Sequence, residues 1–93
     1  RIGYRMKGFQ INIPDRIFSK LKKFPKDRQK QILNKTEIIS KSPELLDITK
    51  MGGRIDTYRL RVGDYRVIFI VDYANKVINI DKVGTKSEIE KQY

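Results

Sequence analysis

Arg59, Arg61 and Arg66 flank Gly63-Asp64, and their spacing is what gives them chemical meaning. Gly at the first central position followed by Asp reads as a two-residue hairpin turn of type II′. A loop that short sets the pairing: Val62 faces Tyr65, Arg61 faces Arg66, Leu60 faces Val67 and Arg59 faces Ile68. Alternation along each strand then gathers Tyr58, Leu60, Val62, Tyr65, Val67, Phe69 and Val71 on one apolar face and all three arginines on the other. Arg59 and Arg61 are two strand residues apart, roughly 7 Å, similar to the step between successive phosphates of an extended single strand. A guanidinium fork grips phosphate oxygens at two points, so the trio reads as a phosphate-binding platform. Like charges directly opposite on a sheet cost up to about 1 kcal/mol per pair, which a small domain would not carry for structural reasons. The plainer alternative is a solvated basic face whose arginines splay apart or pair with Asp56, Asp64 or Asp81.

Arginine stays protonated, so a proton-exchanging group must come from elsewhere. Lys86 follows directly on the end of the last apolar segment, Val83-Gly84-Thr85, and Tyr93 closes the chain. Like charge from the arginines is expected to lower the pKa of a nearby lysine and to draw a nearby tyrosine toward phenolate. Tyr65 and Tyr73 are set aside for their core and turn placement. Taken singly, Lys86 is also an ordinary surface lysine and Tyr93 an ordinary packing tyrosine. Lys20, Lys22, Lys23 and Lys26 read as the solvated side of helices.

Charge narrows the partner. Twenty-one Lys and Arg against eleven Asp and Glu give +10, which suits nucleic acid, an anionic membrane surface or a strongly acidic protein. No apolar run approaches the roughly 18 residues of a membrane span, and no secretory segment is visible. Cys and His are both absent. That removes disulfides, thiol nucleophiles and the usual zinc ligands, and no carboxylate cluster stands in for them. No cofactor or metal is expected, and a cytoplasmic location is. The sequence begins at Arg1 rather than Met, which leaves room for a few native residues before it.

Ninety-three residues suit a single domain spanning 1–93, with a core small enough that a permanent partner would add stability. Lys7 to Ile13 alternates as a first strand. Pro14 suits the start of a helix that carries Ile17, Leu21 and Phe24 on one face. Pro25 ends that helix and opens a second over Lys26 to Lys41, with Ile32, Thr36 and Ile39 on its inner side, until Ser42-Pro43 stops it. Ser42 to Arg54 reads as a loop tucked onto the core by Leu45, Leu46, Ile48 and Met51. Three strands follow at Ile55–Val62, Tyr65–Asp72 and Val77–Val83. Ser87 to Tyr93 is a short charged helix or a frayed end. The order predicts an α+β fold, an antiparallel sheet with a two-helix hairpin on one face.

The stretch YRLRVGDYRVIFIVD at Tyr58–Asp72, with KMGG at Lys50–Gly53 before it and KVG at Lys82–Gly84 after it, resembles the RelE/ParE toxin family of toxin–antitoxin systems. The likeness covers most of the chain, and the fold it implies agrees with the element order above. RelE-like members cleave messenger RNA in the ribosomal A site with basic residues in place of a histidine pair. The resemblance carries the two alternating basic residues of the family's second strand to Arg59 and Arg61. It carries the arginine of its GYR element to Arg66 and the basic residue after its last VG to Lys86. Lys50, Arg54 and Lys82 are the accompanying RNA-binding candidates. Glu90 stands at the most usual spacing of the family's C-terminal tyrosine, Tyr93 a few residues later, and Thr85 replaces a residue that is often His or Lys. The implied reaction is metal-free attack of the ribose 2′-oxygen on the adjacent phosphate, with Arg59, Arg61, Arg66, Lys86 and Tyr93 catalytic. The implied partners are mRNA, the ribosome and a cognate antitoxin. A ParE-like inhibitor of DNA gyrase and a non-catalytic RNA-binding module are the alternatives.

Overall fold

The computed structural model describes residues 4–93. After a 3₁₀ turn at Tyr4–Met6 come β1 (Gln10–Asn12), α1 (Asp15–Leu21) and α2 (Lys26–Ile38). A second 3₁₀ turn at Pro43–Leu45 leads to β2 (Ile48–Lys50), β3 (Thr57–Val62), β4 (Tyr65–Asp72), β5 (Val77–Thr85) and α3 (Lys86–Gln92). The five strands form one sheet in the order β1-β5-β4-β3-β2. The α+β arrangement expected from the sequence is present.

Element bounds shift by a few residues, with β1 shorter, α2 ending at Ile38 and β5 reaching Thr85, and three further differences bear on the site. β1 pairs with β5 in parallel, so the sheet is mixed. No tight turn can join parallel neighbours, and here the chain passes from β1 through both helices and then through β2, β3 and β4 before it returns as β5. Second, the expected loop at 42–54 contains β2, which pairs antiparallel with β3 and sets Thr49 opposite Arg59. Leu46 and Ile48 pack against the core from this segment, whereas Leu45 is exposed. Third, the strand expected from Ile55 begins at Thr57, and Ile55 lies in solvent at 86% exposure.

Alternation explains the main core. Leu60, Val62, Val67, Phe69, Val71, Ile78, Ile80 and Val83 turn one face of the sheet toward Ile17 and Leu21 of α1 and Ile32 of α2. Thr36, buried on α2, donates its hydroxyl to the Ile32 carbonyl at 2.8 Å, so its polar group is not stranded. The hairpin register is the one the two-residue turn requires, from Val62↔Tyr65 through Arg59↔Ile68. Gly63 has φ +58, the left-handed region that glycine enters without a Cβ clash.

The opposite face is covered too. Ile68 is fully buried, yet alternation points it away from the main core, and Ile89 of α3 is buried at 3% exposure outside that core as well. α3 therefore lies across the arginine side of the sheet. Its start is fastened by a capping box: Glu88 N–H donates to the Thr85 hydroxyl at 3.3 Å, and Thr85 N–H donates to the Glu88 carboxylate at 2.8 Å. Lys20 of α1 adds an ammonium 2.9 Å from the same carboxylate.

Candidate functional site

The Gly63-Asp64 turn holds two of the cations in place by its own backbone. Arg66 donates one guanidinium nitrogen to the Gly63 and Tyr65 carbonyls, both at 2.8 Å. Lys86 N–H donates to the Asp64 carbonyl at 2.8 Å, tying the first residue of α3 to the hairpin tip. The repulsion expected between Arg61 and Arg66, which are directly opposite in the register, is relieved from both sides. Arg66 turns its charge onto carbonyl dipoles, and Arg61 approaches the Asp47 carboxylate at 3.9 Å. None of the expected acidic partners Asp56, Asp64 and Asp81 forms an ion pair with these arginines among the described residues.

α3 supplies the other wall. Lys86, Ile89, Glu90 and Tyr93 recur at i, i+3, i+4 and i+7, one face of a helix. With Arg59, Arg61 and Arg66 they line a single open cavity of about 410 Å³, completed by Asp47, Thr49 and Met51 at the β2 edge. All five residues proposed from the sequence as catalytic therefore meet in one space. Arg66 is 8% exposed and fixed, while Arg61 is exposed and half-solvated.

Tyr93 departs from expectation. Burial, then the nearby Asp81 carboxylate, push its phenol above the ordinary 10, and the Arg54 guanidinium only partly opposes them. The expected drift toward phenolate does not occur, because the arginines of the sheet are not what surrounds the hydroxyl. That hydroxyl points to Asp81 at 3.5 Å, and Arg54 stacks over the ring at 4.3 Å. Tyr93 therefore keeps its phenolic proton at neutral pH.

The three RNA-binding candidates are dispersed. Arg54 reaches the cavity only through Tyr93. Lys82 lines a separate shallow groove with Arg16, Lys20 and Gln92. Lys50 pairs with Tyr58 and so points to the helix side of the sheet, away from Arg59. The sequence does not single out Asp47 or Thr49, and it points Met51 to the core rather than to the site, since a three-residue edge strand carries too little alternation to detect. Glu90 stands out there only as a departure from a pattern. The lysine–isoleucine–glutamate–tyrosine spacing of the tail was the available signal.

The family model for the ParE toxin of type II toxin–antitoxin system, parDE, matches residues 13–90. The chain belongs to this toxin family. A protein named RelE1 from Methanocaldococcus jannaschii is 28% identical over 81 residues, covering 84% of this chain and 90% of its own. The crystal structure of the archaeal RelE–RelB complex from Pyrococcus horikoshii OT3 matches with a TM-score of 0.73 at 32% identity, over 85% of this chain and 96% of the other. The RelB–RelE antitoxin–toxin complex from Methanococcus jannaschii matches with a TM-score of 0.71 at 27% identity, over 87% and 96%. These two RelE structures share the fold of this chain and were solved as complexes with RelB. In this toxin no described helix is long and apolar enough to cross a membrane.

Proposed function

We propose that this toxin is a metal-free endoribonuclease that cleaves mRNA on the ribosome and so stops translation in the cytoplasm. The observation that carries the reading is the convergence of Arg59, Arg61, Arg66, Lys86 and Tyr93 on one cavity open to solvent. The ribose 2′-oxygen attacks the neighbouring phosphate, leaving a 2′,3′-cyclic phosphate and a free 5′-hydroxyl. The arginines meet the charge that builds on the phosphoryl oxygens, where one preorganised donor is worth about 3–4 kcal/mol. Arg66 is the preorganised member, since its guanidinium is already fixed by the turn carbonyls. Lys86 and Tyr93 carry protons beside the leaving oxygen. The ribosome contributes alignment of the message, which can lower a barrier by roughly 7–11 kcal/mol, and activity on free RNA is correspondingly weak. No cofactor has a role in this scheme. Arg54 helps place the RNA through Tyr93, while Lys50 and Lys82 act only as distant phosphate contacts.

The partner is a cognate antitoxin, supported by the RelB-bound state of the related RelE structures. An acidic or amphipathic segment suits a toxin with a charge of +10. Saturating antitoxin is expected to abolish cleavage.

Arg59→Ala is the informative test. Arg59 is half-buried, has no ion-pair partner among the described residues and lines the cavity, so its loss removes charge without loosening the turn. Cleavage of a translated message should fall about 10²–10³-fold. A rate equal to wild type would refute the arginine platform. A second reading, inhibition of DNA gyrase, is favoured by the ParE description of the matching family model. It requires loss of supercoiling by purified gyrase with no RNA cleavage.

A further inference from the structure

The reaction proposed above leaves one role unfilled. The 2′-hydroxyl must lose a proton as its oxygen attacks phosphorus, and most of the cavity wall cannot take one. Guanidinium and ammonium groups are donors without an acceptor lone pair, which removes Arg59, Arg61, Arg66 and Lys86. Tyr93 is kept as a neutral phenol by burial and by Asp81. Histidine does not occur in the sequence. Two carboxylates line the cavity, Asp47 and Glu90. Asp47 is paired with Arg61 at 3.9 Å. Glu90 has no ion-pair partner within 4.0 Å among the described residues, and it lies one helical turn from Lys86 on the same face of α3.

We propose that Glu90 is the general base of this toxin. The inference rests on the ribonuclease reading and adds the missing proton acceptor to it. In the step, the 2′-O–H proton passes to a Glu90 carboxylate oxygen as the O2′–P bond forms. The P–O5′ bond breaks, and the departing 5′-oxygen takes a proton from the Lys86 ammonium or the Tyr93 hydroxyl. Glu90 returns its proton to solvent, the donor recovers one, and the products are the cyclic phosphate and the 5′-hydroxyl. A carboxylate in a pocket of cations would otherwise only weaken phosphate binding, so its position on the cavity face needs a compensating role. The row of Lys86, Glu90 and Tyr93 gives one short helix the acceptor and both donors, with the arginines opposite.

The test compares the full-length toxin with Glu90→Gln and Arg59→Ala on a ribosome-bound message. Binding is measured in parallel to an RNA carrying a 2′-O-methyl group at the cleavage site. Glu90 is exposed, so the amide replacement leaves packing intact. The expected result is a cleavage rate for Glu90→Gln lowered about 10²–10⁴-fold, with binding of the 2′-O-methyl RNA unchanged or tighter. Cleavage at the wild-type rate, or faster, would overturn the assignment. So would a parallel loss of binding and cleavage, since Glu90 would then be structural. A wild-type toxin that leaves the message intact defeats the ribonuclease reading itself. Wild type active, Arg59→Ala slow and Glu90→Gln normal defeats only the base.

Discussion

Glu88 is the residue through which the attachment of α3 can be measured. Its carboxylate accepts the Thr85 N–H at 2.8 Å and the Lys20 ammonium at 2.9 Å, joining the cap of α3 to α1. Glu88→Ala removes both contacts. Loss of a capping interaction costs about 1 kcal/mol, and an exposed ion pair contributes about 0–1 kcal/mol. The Glu88 side chain is 44% exposed, so screening keeps the pair at the low end. Glu88→Ala should therefore destabilise by about 1–2 kcal/mol, seen as a lower urea midpoint and a Tm drop of about 4–8 °C per kcal/mol. Glu88→Gln should cost less, because a glutamine also completes a capping box. The pH dependence has a definite sign. The Thr85 N–H, then Lys20, hold the Glu88 pKa down from its ordinary 4.5 to about 2. A carboxylate depressed by folding stabilises fully above its unfolded pKa, and that contribution fades as pH falls from about 4.5 toward 2. The gap between wild type and Glu88→Ala should thus be full at pH 7 and shrink by pH 3. Equal stability of the two at pH 7, with equal amide exchange in α3, would refute the anchoring role. If Glu88→Gln proved as damaging as Glu88→Ala, the ion pair rather than the cap would be what holds the helix.

Gly84→Ala should imitate Glu88→Ala, since a Cβ at Gly84 would stand 3.0 Å from the capping carboxylate oxygen and 3.4 Å from the Glu88 Cβ. The double variant should be little worse than either single one, and additive losses by urea unfolding would disprove the shared mechanism. Asp81→Asn should bring the Tyr93 phenol back toward its ordinary pKa, because the carboxylate is one of the groups raising it. An unchanged titration of the Tyr93 ring by NMR would contradict that. Ile68→Ala should destabilise by about 2–5 kcal/mol, as Ile68 is fully buried on the α3 side of the sheet. A cost near zero would mean that α3 does not seal that face.

How much of this was legible in the sequence depended on range. The hairpin register followed from two residues, Gly63 and Asp64, because a short turn leaves the strands no freedom to slip. The faces of β3 and β4 came with it, and so did the convergence of the arginines. The parallel pairing of β1 with β5 was not legible, since it joins Gln10–Asn12 to Val77–Asn79 and no local pattern encodes such a contact. β2 was not legible because Ile48–Lys50 is three residues long and is defined by its pairing with β3. The direction of the Tyr93 shift was misjudged for a related reason. In the sequence only the like charge of the arginines is visible, whereas the burial of Tyr93 and the approach of Asp81 arise when α3 folds across the sheet.

The same turn that made the register readable also makes the site dependent on it. Its two carbonyls accept Arg66 on one side and the first N–H of α3 on the other, so guanidinium and helix are held against a common piece of backbone. Arg61 and Arg66 can then stand directly opposite each other in the strand register, one buried against carbonyls and the other beside Asp47. A phosphate entering the cavity would find at least one cation already oriented, which is the condition under which a donor lowers a barrier rather than merely binding. In the proposed reaction the proton-carrying residues lie on the α3 side rather than on the sheet, which separates the two tasks. In that scheme the sheet is where charge is stabilised, and a helix fastened by Thr85, Glu88 and Lys20 is where protons move.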